Sequence, residues 1–321
     1  GVRRQGHRVA RAVDEVVSAP ALLVHASGRR TIQLASALVA VAWLLVLVLG
    51  ALAPGAWLEA GDDPISTALF LGVGALVPLG VSLLPAGPGP ASALVAVVPP
   101  VLAVTSVVGA ASLVLGVGPA GGAAACVWMM GTIVLALLGA GRIIRALTVR
   151  EGRAVELGVG AALASLPVGA VWLVMSRLGV DPMGVSSLIV LCTAGHFHFT
   201  SVGLVTLMVL APGRARSPRA RAALTVALAS TIAAIPLIAA GWSGVPVVMH
   251  VGVWLLAAAV LAYAVTTLVA VLPTLTMRAS KVALGLSCLA PLGSMPLAVL
   301  YVQQGIDIDV MVHVHGLLNA Y

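Results

Sequence analysis

Apolar runs of about twenty residues, almost free of charged side chains, recur from one end of this chain to the other, and each is long enough to cross a hydrocarbon layer of about 30 Å as a helix. Inside lipid every backbone N–H and C=O needs an internal partner, so runs of this kind fold as helices. Nine full runs are bounded by charges, Gly-Pro clusters or polar turns: Thr31 to Ala53, Ser66 to Leu84, Ala91 to Val117, Gly122 to Gly141, Ala154 to Met175, Met183 to Leu210, Ala222 to Gly241, Val245 to Leu272 and Val282 to Tyr301. A tenth begins at Ile308 and stops after about 14 residues, about 21 Å of helix. That run is expected either to continue in a longer natural chain or to end inside the bundle. The reading is an all-α, polytopic transmembrane helical bundle of about nine to ten spans, with no room for a soluble catalytic domain. At 61% hydrophobic and 8% charged, the chain lies far from the roughly 25% charged residues of a soluble domain.

The charges test this order of spans separately, because Lys and Arg gather in cytoplasmic links. With the N-terminus inside, Arg3, Arg4, Arg8, Arg11, Arg29 and Arg30 fall on the cytoplasmic side, as do Arg142, Arg145, Arg150, Arg153, Arg214, Arg216, Arg219, Arg221, Arg278 and Lys281. Arg177 alone falls outside, where the links carry Glu59, Asp62, Asp63, Asp181, Asp307 and Asp309. Arg and Lys are absent from the interiors of the runs, so no buried anion site is expected. The net charge of +7 therefore reads as orientation rather than nucleic-acid binding. The expected location is a bacterial-type plasma membrane, crossed many times.

Residues 1–30 read as a basic cytoplasmic or interfacial amphipathic segment and residues 31–321 as the transmembrane domain. In the first segment Val9, Val13, Val16 and Val17 share a helical face, with Arg4, Arg8, Arg11 and Glu15 on others. Its apolar part is too short for a cleavable signal peptide. The three cysteines, Cys126, Cys192 and Cys288, all fall in apolar runs, which argues against a disulfide framework. Pro99 and Pro100 interrupt the third run, and Pro291 and Pro296 bracket Gly293 and Ser294 in the ninth. Broken helices of this kind can line a cavity.

Ionisable side chains within a bilayer are expensive and by default mark function. His7 and His25 belong to the N-terminal segment; His196, His198, His250, His313 and His315 lie in or at the edge of spans. His196 and His198 are two residues apart, so a regular helix points them about 200° from each other. Either that helix is surrounded by protein, or a distortion near Gly195 turns both rings inward. Asp309 and His313 are spaced for one helical turn, as are His315 and Asn319. A carboxylate at that spacing can orient and charge an imidazole. His250 lies near the outer end of the eighth span, and all five rings can converge on one cavity.

Such a cluster suits proton transfer through imidazole. It also suits a transition metal, whose ligands here would be His196, His198, His313 and His315. Proton chemistry comes first, because an i, i+2 pair chelates poorly from one helix, and no cofactor is predicted. The chain has no P-loop, no G-x-S-x-G and no paired acidic motif for diphosphate and magnesium.

These two motifs resemble those of the YndJ-like family of bacterial integral membrane proteins. The matching residues are Thr193, His196, Phe197, His198 and Phe199, then His315, Gly316, Asn319 and Ala320. The match covers the second half of the chain, the first half agreeing only in hydrophobic layout. The resemblance implies a membrane location; a transporter label is attached to some relatives, without a shared reaction.

The leading expectation is an integral membrane enzyme acting on a lipophilic substrate, isoprenoid- or polyketide-like, by His/Asp acid-base chemistry: cyclisation, isomerisation or epoxide opening. His196, His198, Asp309, His313, His315 and Asn319 would be catalytic, and Thr193, Phe197, Thr200 and His250 would contact the substrate. The partners would be that substrate and the lipid bilayer, with no nucleic acid. The alternative is a secondary transporter or proton-coupled permease using the same histidines, and a third reading is a structural partner in the membrane.

Overall fold

In the computed structural model the described residues are Val24, 26–52, 64–85, 93–149, 152–242 and 245–320. The proposed interfacial helix of residues 1–30 therefore lies almost wholly outside them, as do His7 and His25. The first helix, α1, spans Ala26–Leu52. Among the described residues, eight helices after it are long and apolar enough to cross a membrane: α2 Ile65–Leu83, α3 Ala96–Val114, α4 Pro119–Thr148, α5 Arg153–Leu178, α6 Ser187–Arg214, α7 Pro218–Gly241, α8 Pro246–Thr274 and α9 Arg278–Val302. A short last helix, α10, covers residues 308–320. The chain is an all-α bundle with the architecture of a multi-pass membrane protein, and the order of expected spans is reproduced.

Two expectations about these helices change. The prolines do not break them: the third expected span runs as one α-helix over Ala93–Val114 with Pro99 and Pro100 inside it, and α9 stays helical through Pro291 and Pro296. A proline removes one N–H, whereas unwinding in lipid would expose several backbone groups at once. The irregularities are instead wide π turns at Gly72–Leu76, Phe199–Leu204, Thr267–Val271 and Met311–Gly316, none of which contains proline. Such turns occur frequently at functional sites.

The second change concerns charge. Helix α4 continues beyond the expected end at Gly141 to Thr148, so Arg142 and Arg145 are helical residues rather than a solvated link. They meet Glu156 on α5, with Arg142 Nε 2.6 Å from Oε2 and Arg145 Nε 3.8 Å from Oε1. Arg142 also donates from Nη1 to the Pro85 carbonyl at 3.1 Å, which ties the end of α2 to the α4–α5 hairpin. A buried guanidinium is tolerable because this partner and these hydrogen bonds come with it.

Helices α4 and α5 form the most extensive helix pair. Glycine permits their approach: a Cβ on Gly160 would stand 2.9 Å from the Gly139 carbonyl oxygen, and one on Gly139 would stand 2.7 Å from the Gly160 oxygen. Lipid supplies no hydrophobic drive between helices, so close packing of small residues replaces it. Helix α6 packs on α2, α5 and α7, and α2 in turn on α1 and α3. The π turns of α2 and α6 touch, with Gly72 leaving room for the Phe199 ring. Helices α8 and α9 sit at the side of this core, and α10 folds back on α9 and on the first half of α2.

Candidate functional site

The two histidines of α6 part company. The segment Ser187–His198 is regular α-helix, and the distortion starts only after it, at Phe199. No turn near Gly195 brings the rings together, so the separation expected of residues two apart holds. His198 points inward and is 1% exposed. Its Nε2 lies 2.8 Å from Trp128 Nε1 on α4, the rings being stacked with centroids 5.8 Å apart. Its Nδ1 lies 2.7 Å from the Ala194 carbonyl oxygen.

These contacts decide the tautomer. An indole N–H only donates, so His198 Nε2 is the acceptor. The ring proton therefore sits on Nδ1 and is donated to Ala194. Both nitrogens of this neutral imidazole are used, so the ring has neither a lone pair for a metal nor a site for a second proton while these bonds last. Gly169 on α5 makes room for it, since a Cβ there would stand 2.9 Å from Nδ1. His196, on the other side of the helix, is exposed, and its ring nitrogens have no hydrogen-bond partner among the described residues.

The second motif builds a small network. His315 sits in the π turn of α10, 8% exposed, with Nδ1 donating to the Ser294 carbonyl at 2.8 Å. Asn319 Nδ2 donates to Ser294 Oγ at 2.8 Å and to the His315 carbonyl at 2.6 Å. Ser294, fully buried between Pro291 and Pro296, is thus the point where α9 holds α10. With the His315 proton held on Nδ1, its Nε2 presents a lone pair. That ring lies within electrostatic range of His196, because α10 packs on α2 and α2 packs on α6. Two imidazoles with nitrogens to spare, His196 and His315, are therefore brought to one region of the bundle.

The other expected site residues lie as follows. His313 is exposed while His315 is buried, so the π turn sends them to different sides. The backbone of Asp309 is helical, and its side chain lies outside what is described. Thr193 donates to the Ile189 carbonyl at 2.7 Å and Thr200 to that of His196, each hydroxyl spent on its own helix. Phe197 is half-buried with its Cβ against Gly169. His250 lies on α8 with Nδ1 2.8 Å from the Pro246 carbonyl, and no hydrogen bond joins it to the Ser294 network.

The sequence reading missed Ser294 as a hub and Trp128 as the partner of His198. In the sequence Ser294 stands out only as part of a proline-bracketed break. Trp128 carried no signal beyond being an aromatic residue in a Gly- and Ala-rich helix. The four-imidazole metal set is not assembled: both nitrogens of His198 are occupied, and no three of His, Cys, Asp or Glu lie together as metal ligands among the described residues.

A family model described as YndJ-like protein matches residues 67–321, well beyond the second half of the chain to which the two motifs point. No curated protein and no solved structure matches it.

Proposed function

From a chain that belongs to the YndJ-like family, we propose a membrane enzyme that moves protons on a lipophilic, isoprenoid- or polyketide-like substrate, His315 and His196 being the exchanging groups. The observation that carries this reading is the bond from His315 Nδ1 to the Ser294 carbonyl, which leaves Nε2 as a base within range of a second imidazole. His315 Nε2 takes a proton from one substrate atom, and His196, receiving it in turn, returns it to another. An isomerisation or cyclisation of this kind removes one proton and adds one, so it needs no other reactant. Asn319 and Ser294 position His315; His198 and Trp128 keep α6 in place and so aim His196. The expected setting is a bacterial plasma membrane with the N-terminus in the cytoplasm.

The test compares wild type with His315→Gln and His196→Gln in detergent, without an ion gradient, by mass spectrometry of a lipid extract incubated with each. An enzyme of this class converts a component of the extract, and each substitution lowers the conversion by about 10²-fold or more. A proton-coupled permease is the second reading, favoured by the π turns that interrupt four helices. No conversion in detergent, together with pH-driven solute flux into liposomes that both substitutions abolish, would replace the first reading by the second.

A further inference from the structure

Away from the histidines, α7 and α8 leave a groove of about 340 Å³ at the end of the bundle that carries the arginines. Its walls include Ala223 of α7 and Val265, Thr266, Val269 and Ala270 of α8, with Arg219 at one end. The groove exists because the α7 wall is alanine and the π turn Thr267–Val271 displaces the α8 backbone. It opens sideways: Val269 is 73% and Val265 50% exposed on the apolar outer surface of the bundle.

Charge selects the occupant. The two stretches that join α6 to α7 and α8 to α9 at this end, residues 211–221 and 272–281 with the first helical turns of α7 and α9 included, contain Arg214, Arg216, Arg219, Arg221, Arg278 and Lys281 and no acidic residue. The turn Ala211–Arg214 packs beside Thr267–Val271, so the first stretch borders the groove, while Arg278 and Lys281 of the second lie off its walls. Arg221 donates to the Ala215 carbonyl at 3.4 Å, whereas Arg219 has no ion-pair or hydrogen-bond partner among the described residues. A groove that is apolar along its length and cationic at one end fits an anionic amphiphile, and basic pockets between transmembrane helices hold lipid head groups in this way.

We propose that this groove is a binding site for one anionic phospholipid, its phosphate on Arg219 and one acyl chain between Ala223 and Val269. The inference is independent of the reaction at His315 and His196. It is tested on the purified full chain by native mass spectrometry in mixed micelles containing phosphatidylglycerol or phosphatidylcholine. One phosphatidylglycerol per chain is expected to be retained in preference to phosphatidylcholine. Arg219→Gln should weaken retention about fivefold, and Ala223→Leu, which fills the groove from an exposed position, should abolish it. Arg278→Gln, on the other link and off the groove, should change it less than twofold. Equal retention of the two lipids, equal losses for Arg219→Gln and Arg278→Gln, no effect of Ala223→Leu, or displacement by millimolar inorganic phosphate would each overturn the proposal.

Discussion

At the scale of single residues, Trp128 and His198 show how a polar group is kept inside an apolar bundle. Each closes the other's hydrogen-bonding requirement, and Ala194 takes the remaining imidazole proton. A buried acceptor stripped of its donor costs about 1–3 kcal/mol, while replacing both partners with apolar groups of similar shape is nearly neutral. Trp128→Phe should therefore destabilise the protein by about 1–3 kcal/mol, and the added change His198→Phe should recover much of that loss, as read by thermal unfolding in detergent. Additive losses instead would mean that the pair contributes packing and no hydrogen bond. The histidines themselves were visible in the sequence as imidazoles in lipid-length runs. Their division into satisfied and unsatisfied rings was not, since it depends on an indole 70 positions away and on a carbonyl of another helix.

At the scale of elements, the α4–α5 hairpin joins a glycine crossing to an ion cluster at its end. Glu156 is 6% exposed and faces two guanidinium groups. Removing one member of a buried pair costs about 3–5 kcal/mol, because the other charge stays desolvated. Glu156→Gln should thus lower the stability of the purified protein by that order, measured by thermal unfolding, whereas Glu156→Leu combined with Arg142→Met should lose less. If the single substitution is silent, water reaches this cluster and the arginines act only as orientation signals. The charge pattern puts a span boundary at these arginines, which lie in the last turns of α4, but periodicity could not tell a solvated link from two more helical turns. That choice belongs to Glu156 on the next helix. The π turns were equally out of reach of sequence reasoning: Gly72–Leu76 and Phe199–Leu204 carry no proline, and they form where two helices must accommodate Phe199 against Gly72.

At the scale of the whole molecule, the alternating basic and acidic links assign the N-terminus and the α6–α7 and α8–α9 links to one side. Three crossings separate Ser217 from Gln303. In a chain with Cys126, Cys192 and Cys288 replaced by alanine, Gln303→Cys should react with a membrane-impermeant maleimide added to intact cells. Ser217→Cys should react only after the membrane is opened. Reversed labelling would invert the topology, and labelling of both from outside would mean that one of the three helices does not cross.

Length and apolarity alone determined that this chain forms membrane-length helices, because hydrocarbon leaves a peptide group no partner outside its own helix, and charge at the links ordered them. Which imidazole keeps a nitrogen to spare, where the helices widen and which arginines are paired were decided by the tertiary structure. Each depends on a donor, an acceptor or a missing Cβ supplied by a neighbouring helix, and no local pattern along the chain records it.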